Sequence, residues 1–189
     1  MGKVRAAFFD RDGILVRPVD GEAPQRLEDL SLLPESIPVV RAVKQCGFLT
    51  IVVSNQPDAA LGFINEPTRR SLEKKFAALA KESNLPIDAI SYCHHHPRGV
   101  VVKYTKDCSC RKPKPGMLIN ARRKFAIDLR HSYMIGDRAS DVKAGCDAGV
   151  TTILFDPEAS QQEHLKKLMV QPDYTVKHLK EVVNILGKP

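Results

Sequence analysis

Short apolar runs alternate along this chain with longer segments in which apolar residues recur every three or four positions. The short runs, bounded by polar residues or glycine, predict buried strands. They cover residues 4–9, 48–53, 87–92, 132–135, 151–155 and 174–176. The periodic segments predict helices over residues 36–46, 66–83, 117–125, 142–148 and 163–169, and a final helix that ends at residue 186. This alternation indicates an α/β fold with a doubly wound, mostly parallel, Rossmann-like sheet.

Polar residues follow three of the predicted strands at the point where each strand ends. Asp10 and Asp12 follow the first strand, residues 54–56 end the second, and Asp137 follows the fourth. Because ligands of parallel sheets bind at the carboxyl ends of the strands, we expect these side chains to lie close together. Asp10 and Asp12 point the same way from an extended chain, and two like charges so close need a cation or a shared proton. An acidic turn exposed to solvent is the alternative interpretation of that pair alone.

The composition is typical of a globular protein with a full core. The chain has 189 residues, a mass of 21.0 kDa and a hydrophobic fraction of 43%, which predicts a single domain over residues 1–189. No apolar stretch is long enough to span a membrane and the first residues lack a signal peptide, so we expect a cytoplasmic protein. The net charge of +7 suits an anionic ligand, either a phosphorylated metabolite or a nucleic acid. Basic residues are spread along the chain, so charge does not choose between these partners.

The five cysteines indicate a metal site rather than a disulfide framework, because their number is odd and three of them cluster. Two short-spaced pairs form a set of four ligands suited to tetrahedral Zn²⁺, on a loop that spans residues 93–110. The four are Cys93, His95, Cys108 and Cys110. His94 and His96 are expected to be exposed residues that bind no metal. Cys46 and Cys146 are expected to lie in the core on apolar helix faces.

Four short motifs of this chain resemble those of the haloacid dehalogenase (HAD) superfamily of phosphohydrolases, in the same order. They are Asp10-Arg11-Asp12-Gly13, Ser54-Asn55-Gln56, Arg111-Lys112-Pro113, and Gly136-Asp137 through Asp141. The resemblance covers nearly the whole chain up to Phe155. The Cys-x-His and Cys-x-Cys pairs are similar to those of zinc-containing D-glycero-D-manno-heptose 1,7-bisphosphate phosphatases and related histidinol-phosphate phosphatases. The resemblance implies a HAD-like fold that has no cap domain, because no insertion is long enough to form one.

The resemblance also implies a role for each motif residue. Asp10 would be the nucleophile, Asp12 the general acid and base, and Ser54 and Lys112 would stabilise the phosphoryl group. Lys114 is the alternative to Lys112. Further residues expected to bind substrate are Asn55, Gln56 and Arg111.

Mg²⁺ is the second implied metal. It would be held by Asp10, the backbone carbonyl of Asp12, and Asp137. Asp141, one helical turn beyond Asp137, would support the site from behind or would be a surface or capping residue.

The sequence departs from the resembled family at two places near the first two motifs. Ile14 stands where threonine is usual, and residues 57–61 replace a Ser-Gly-Ile-Ala-Arg-like run, so that Leu61 stands in place of an arginine. The favoured expectation is a monomeric, Mg²⁺-dependent phosphomonoesterase that removes the 7-phosphate of D-glycero-D-manno-heptose 1,7-bisphosphate. Histidinol phosphate or another small phosphorylated metabolite is the alternative substrate. A zinc-stabilised nucleic-acid-binding module, or a phosphatase of nucleic-acid ends, is the alternative from another class.

Overall fold

Six parallel strands form one central sheet in the computed structural model, which describes residues 4–187. The strands are β1 (Ala6–Phe9), β2 (Leu49–Asn55), β3 (Ala89–Cys93), β4 (Tyr133–Gly136), β5 (Thr151–Phe155) and β6 (Tyr174–Val176). They lie in the order β3-β2-β1-β4-β5-β6, and every neighbouring pair is parallel. The predicted doubly wound α/β architecture is therefore confirmed.

Six helices connect or follow these strands. They are α1 (Ser36–Gln45), α2 (Glu66–Glu82), α3 (Gly116–Phe125), α4 (Ala139–Ala148), α5 (Gln162–Lys167) and α6 (Glu181–Leu186). The helix α4 begins three residues earlier than the apolar pattern indicates. The reason is a polar cap, because the Asp141 side chain accepts a hydrogen bond from the backbone N–H of Arg138, at 3.0 Å.

The strand β1 is buried on both faces, as expected for the centre of a sheet covered by helices on each side. Ala7 and Phe9 belong to the core that includes α1, α2 and α6, whereas Ala6 and Phe8 belong to the core on the α3 side. This arrangement explains why the run before Asp10 is continuously apolar instead of alternating.

The order of the strands reverses at β1, and this reversal places two of the predicted acidic residues side by side. Phe9 is in register with Ile135 of β4, and the N–H of Asp10 donates to the carbonyl of Ile135 at 2.9 Å. Asp10 and Asp137, 127 positions apart, thus emerge from adjacent strand ends, where ligands of such sheets bind.

Two irregular segments lie beside these strand ends. Residues 14–33, here called the flap, follow β1, and their first residues Ile14, Leu15 and Val16 are buried in the core. The second segment is the 93–110 loop. Within residues 4–187, the flap forms no helix and the 93–110 loop forms one short 3-10 turn at Val102–Tyr104, so neither segment builds a separate folded unit over the strand ends.

Two predictions about cysteines are wrong, because Cys46 and Cys146 are exposed. Cys46 caps the C-terminus of α1, one position beyond the apolar face, and Cys146 lies on the solvent side of α4. Among residues 4–187, none of the helices combines the length and apolar character needed to cross a bilayer.

Candidate active site

A compact cluster of three carboxylates lies at the carboxyl ends of β1 and β4. One oxygen from each of Asp10, Asp137 and Asp141 lies within 4.8 Å of the other two. Asp10 and Asp141 are buried. The sequence pattern predicted the first two as neighbours and left the place of Asp141 open. Asp141 proves to belong to the cluster while it also caps α4.

Lys112 supplies a positive charge inside this cluster. Its Nζ lies 2.9 Å from Asp10 Oδ1 and 2.5 Å from Asp141 Oδ1, and it donates to the carbonyl of Val53 at 2.8 Å. Burial alone would lower the pKa of Lys112, but the two carboxylates outweigh this effect and raise the pKa above its ordinary value. Lys114, the alternative candidate, lies on the surface and pairs with Asp107 instead of with the cluster.

The acidic cluster carries more negative charge than Lys112 balances. Asp137 Oδ1 is buried and has no hydrogen-bond partner among the described residues. Burial, followed by the nearby charges of Asp10 and Asp141, raises the pKa of Asp137 to about 8. The three carboxylates offer hard oxygen ligands, and one of their oxygens is buried without a partner. Such a cluster suits a small divalent cation. Gly13 permits this packing, because a Cβ there would lie 2.2 Å from Asp137 Oδ2 and the residue has φ +85°.

Asp12 is held by an ion pair with Arg11 and a hydrogen bond from Gln56. Arg11 Nη2 lies 2.9 Å from Asp12 Oδ1, and Gln56 Nε2 donates to Asp12 Oδ2 at 2.6 Å. Burial raises the pKa of Asp12, whereas Arg11 opposes the rise and the charge of Asp10 adds to it. The backbone carbonyl of Asp12 remains a predicted metal ligand.

Arg11 is a site residue that sequence reasoning missed. Its side chain is almost fully buried, and its Nη2 also donates to Gln56 Oε1 at 2.7 Å. The guanidinium carbon lies 5.8 Å from the ring centre of Tyr92 and 5.9 Å from that of Phe76. The sequence signal was an arginine between two aspartates, which reads equally well as an exposed residue of a turn.

The last two residues of β2 and the residue that follows them support the site more than they line it. Gln56 is buried, uses its amide group on Arg11 and Asp12, and donates to the hydroxyl of Ser54 at 3.0 Å. The side chain of Asn55 accepts from the backbone N–H of Lys112 at 3.0 Å and donates to its carbonyl at 2.9 Å. The roles of Ser54 and Asn55 in phosphoryl binding, and of Gln56 in substrate binding, stay predictions.

A cavity of about 260 Å³, here called the central cavity, opens above Asp10 and Asp12. Its walls differ in character: Arg111, Lys112 and Arg138 are basic, and Leu61 and Phe63 are apolar. A larger cavity of about 900 Å³ lies on the far side of Arg138. It shares Asp137 with the cluster but includes neither Asp10 nor Lys112.

The flap contacts the central cavity at two points. Arg138 Nη2 donates to the carbonyl of Gly21 at 2.9 Å and lies 3.5 Å from Glu22 Oε2. Gln25 Nε2 donates to Asp58 Oδ1 at 3.1 Å. Glu22, Ala23 and Gln25 also line the cavity, so the flap forms one side of it.

The four predicted zinc ligands converge at the two ends of the 93–110 loop. The Sγ–Sγ distances are 3.4 Å for Cys93–Cys108, 3.0 Å for Cys108–Cys110 and 3.2 Å for Cys93–Cys110. His95 Nδ1 lies 3.6 Å from Cys110 Sγ. These separations are much longer than a disulfide bond, and three thiols with one imidazole form a set that could hold a tetrahedral metal ion.

The cysteine cluster is joined directly to the central cavity. Arg111 and Lys112 follow Cys110 in the chain, and Arg111 Nη1 donates to the carbonyl of His95 at 3.2 Å. Any ion that fixes these ligands therefore also fixes the two basic residues that line the cavity. Arg111 lies on the cavity wall, and its role in substrate binding stays a prediction.

His94 and His96 are partly buried, so the prediction that both are exposed is wrong. His94 Nε2 lies 3.2 Å from Arg69 Nη1 and 3.3 Å from Glu73 Oε1, and its ring lies beside Tyr92. Burial, then the charge of Arg69, lowers the pKa of His94. His96 Nδ1 accepts the N–H of Arg98. Neither histidine joins the cysteine cluster.

Comparisons with proteins of known name place this arrangement among the phosphatases. The family model for HAD-hydrolase-like proteins matches residues 109–182. D-glycero-alpha-D-manno-heptose-1,7-bisphosphate 7-phosphatase of Photorhabdus laumondii is 35% identical over 78% of this chain and 80% of its own length. D-glycero-beta-D-manno-heptose-1,7-bisphosphate 7-phosphatase of Escherichia coli K12 is 36% identical over 79% of this chain and 77% of its own length.

Solved structures agree with this placement. A protein from Mesorhizobium loti described as a HAD-like phosphatase superposes with a TM-score of 0.80 at 28% identity, over 99% of this chain and 89% of that one. The D,D-heptose 1,7-bisphosphate phosphatase of B. bronchiseptica, solved with magnesium and phosphate, has a TM-score of 0.80 at 23% identity, over 97% and 98% of the two chains. The second likeness shows that the fold is shared.

Proposed function

The chain belongs to the family of D-glycero-manno-heptose-1,7-bisphosphate 7-phosphatases within the HAD superfamily, and from this premise we propose that it removes the 7-phosphate of such a bisphosphate. The chain is a phosphatase; the proposal concerns its substrate, metals and residue roles. The observation that carries the proposal is Lys112, which lies against both Asp10 and Asp141 where β1 and β4 end.

Asp10 is the nucleophile in this proposal. Its carboxylate attacks phosphorus and forms an aspartyl-phosphate, while the bond from phosphorus to the sugar oxygen breaks. Lys112 is near enough to Asp10 to stabilise the negative charge that grows on the phosphoryl oxygens. Asp12 donates a proton to the departing sugar oxygen and then takes one from the water that hydrolyses the aspartyl-phosphate. Inorganic phosphate leaves, and the carboxylate of Asp10 is restored.

Mg²⁺ suits the acidic cluster on chemical grounds, because the donors are oxygens and one of them is buried without a partner. We propose that Asp10, Asp137 and the backbone carbonyl of Asp12 hold it, with Asp141 beside them. When bound, the ion offsets the charge of the carboxylates and of the phosphoryl group. Asp141 also fixes Lys112, since the two side chains form an ion pair.

Zn²⁺ suits the four ligands of the 93–110 loop, because a complete tetrahedral set leaves no position for substrate. We propose that its role is structural and that it positions Arg111 and Lys112. Arg111 would bind the second phosphate of the substrate, which its planar guanidinium group can contact with two hydrogen bonds.

The proposal treats residues 1–189 as a single domain and the 93–110 loop as part of it. Hydrogen bonds at the two ends of the loop support this assignment, because Gln56 N–H donates to the carbonyl of Cys93 and Asn55 binds the backbone of Lys112, two residues beyond the loop. The proposed enzyme is a cytoplasmic monomer, in keeping with helices that show no heptad-like apolar seam.

The small central cavity favours a metabolite over a nucleic acid, since about 260 Å³ is below the usual size of sites for drug-sized ligands. The direct test is steady-state kinetics on a panel that includes both anomers of the heptose bisphosphate, histidinol phosphate and nucleotides. We expect the highest kcat/KM for a heptose bisphosphate and no measurable turnover by Asp10→Asn. Turnover of the panel by Asp10→Asn would refute the nucleophile, and a preference for histidinol phosphate would refute the substrate.

A further inference from the structure

The turn after β2 presents an aromatic ring at the mouth of the central cavity. Phe63 lines the cavity, yet 61% of its surface is exposed. Leu61 lies beside it on the same wall. Residues 57–63 are here called the cavity turn. An exposed phenyl ring next to the proposed catalytic carboxylates offers apolar surface that a bound ligand would shield from water.

The cavity turn holds this ring in a defined position. Phe63 N–H donates to the carbonyl of Asp58 at 2.9 Å, and Leu61 N–H donates to that of Pro57 at 2.9 Å. The 93–110 loop fixes the turn from outside, because the N–H groups of Val100 and Val101 both donate to the carbonyl of Ala60. The ring is therefore attached to a backbone that is hydrogen-bonded on two sides.

A carboxylate stands at the start of the same turn. Asp58 lines the central cavity, and one of its oxygens accepts a hydrogen bond from Gln25 of the flap at 3.1 Å. The cavity turn thus offers two kinds of contact side by side. These are an apolar aromatic face and an acceptor suited to hydroxyl groups.

The position of the reacting phosphate decides what meets this turn. With phosphorus at Asp10 and Lys112, the remainder of a substrate extends toward the mouth of the cavity. The hydroxyl-bearing carbon chain of a sugar has C–H surfaces that pack on aromatic rings and hydroxyl groups that donate to carboxylates. We propose that Asp58 and Phe63 bind the polyol part of the phosphomonoester and determine specificity for it, an inference that rests on the proposed function.

A protein partner is the competing explanation of the exposed ring. Val100 and Val102 are 72% and 90% exposed on the neighbouring loop, and they extend the apolar surface away from the cavity. Neither valine lines the central cavity, whereas both Asp58 and Phe63 do. The cavity wall combines a hydrogen-bond acceptor, Asp58, with an aromatic ring, Phe63. This combination favours a polyol ligand over a protein partner.

The test compares a substrate that has a polyol chain with one that lacks it. Heptose 1,7-bisphosphate carries a hydroxyl-bearing carbon chain and a second phosphate, whereas acetyl phosphate carries only an acetyl group beside its phosphate. We expect Phe63→Ala to raise KM for the bisphosphate about 3- to 10-fold, the effect of losing one aromatic contact. Asp58→Ala should raise it about tenfold or more, because a charged acceptor is lost. Kinetics on acetyl phosphate should not change in either variant.

Matched variants separate recognition from general damage. Phe63→Tyr keeps the ring and should retain the KM of the wild type, and Val102→Ser, on the exposed loop, should do the same. An unchanged KM for the bisphosphate in both Phe63→Ala and Asp58→Ala would overturn the inference. An equal rise of KM in Val102→Ser would also overturn it, because the entire exposed apolar surface, and not the cavity wall alone, would then contribute to binding. A wild type inactive on every heptose bisphosphate would instead refute the proposed function.

Discussion

The guanidinium group of Arg11 contacts both carboxylate oxygens of Asp12, the next residue in the chain, at 2.9 to 3.2 Å. Side chains of consecutive strand residues point to opposite faces, and this contact is possible because β1 has already ended at Phe9. The backbone bends at residue 11, and the N–H groups of Leu15 and Val16 both donate to the carbonyl of Arg11. Asp12 is consequently a fixed carboxylate, held by Arg11 on one side and by Gln56 on the other.

Replacing Gln56 by Leu removes a 2.6 Å hydrogen bond to Asp12 with little change in volume. We expect kcat/KM for a sugar phosphate to fall about 10²-fold, which is the lower end of the range of rate losses caused by removal of a general acid. The loss on p-nitrophenyl phosphate should be much smaller, because its leaving group needs no proton. Measuring both substrates with Asp12→Asn as reference checks this, and an equal loss on both substrates would contradict it.

Replacing Lys112 by Met removes the cation between Asp10 and Asp141. We expect kcat to fall about 10²- to 10³-fold, the usual effect of losing one group that stabilises the transition state. The free energy of unfolding should fall by about 3 kcal/mol or more, because two buried carboxylates lose their partner. Lys114→Met is the matched control, and steady-state kinetics with urea unfolding should show it unchanged. Similar losses in both variants would mean that the assignment of Lys112 is wrong.

The stability of the metal-free protein should fall as pH rises. The pKa of Asp137 is raised to about 8 in the folded chain, so the folded chain keeps a proton that the unfolded chain loses near pH 4. Between these values the folded state binds more protons, and stability therefore decreases with pH until about 8.

Thermal unfolding in a chelator and in Mg²⁺, at pH 6 and pH 8.5, tests this dependence. We expect Tm in the chelator to be lower at pH 8.5 and Mg²⁺ to restore it, because the bound ion replaces the proton. Asp137→Asn should remove most of the pH dependence. A Tm in the chelator that rises with pH would contradict the prediction.

Thiol reactivity should report the metal of the 93–110 loop. Cys46 and Cys146 are exposed and should react rapidly in the native protein, whereas the three clustered cysteines should react only after a strong zinc chelator is added. Chelation should also make the loop sensitive to protease and lower kcat, because the segment that leads from Cys110 to Arg111 and Lys112 loses its metal. Cys46→Ser should lose one fast thiol without loss of activity. Five fast thiols before chelation would contradict a metal-bound cluster.

The order and type of the main strands and helices could be predicted from the sequence, because the spacing of apolar residues differs between buried strands and one-sided helices. The run before Asp10 is apolar throughout, as a strand covered on both faces must be, and the structure places it at the centre of the sheet. The ends of parallel strands share one edge, so Asp10 and Asp137 could be predicted as neighbours. The cluster of four candidate metal ligands was recognisable because the two residues of each pair are close in the chain.

The remaining features depend on contacts between distant residues. Gln56 turns inward because Arg11, 45 positions away, needs an acceptor, and no local pattern encodes that need. His94 is partly buried by α2, which the loop sequence does not reveal. Cys46 was expected in the core because it follows the helical spacing, but the helix ends one residue before it.

The side chain of Asn55 positions Lys112 independently of the length and sequence of the 93–110 loop. Its amide group forms the same pair of hydrogen bonds with Lys112 that a neighbouring strand residue would form. A residue delivered by a loop is thereby placed as accurately as one in the sheet. We expect relatives to differ by insertions and deletions between residues 97 and 107, because neither Asn55 nor the four candidate metal ligands lie there. Such changes alter the hydrogen bonds of Val100 and Val101 to the cavity turn, so substrate preference diversifies while the placement of Lys112 is inherited intact.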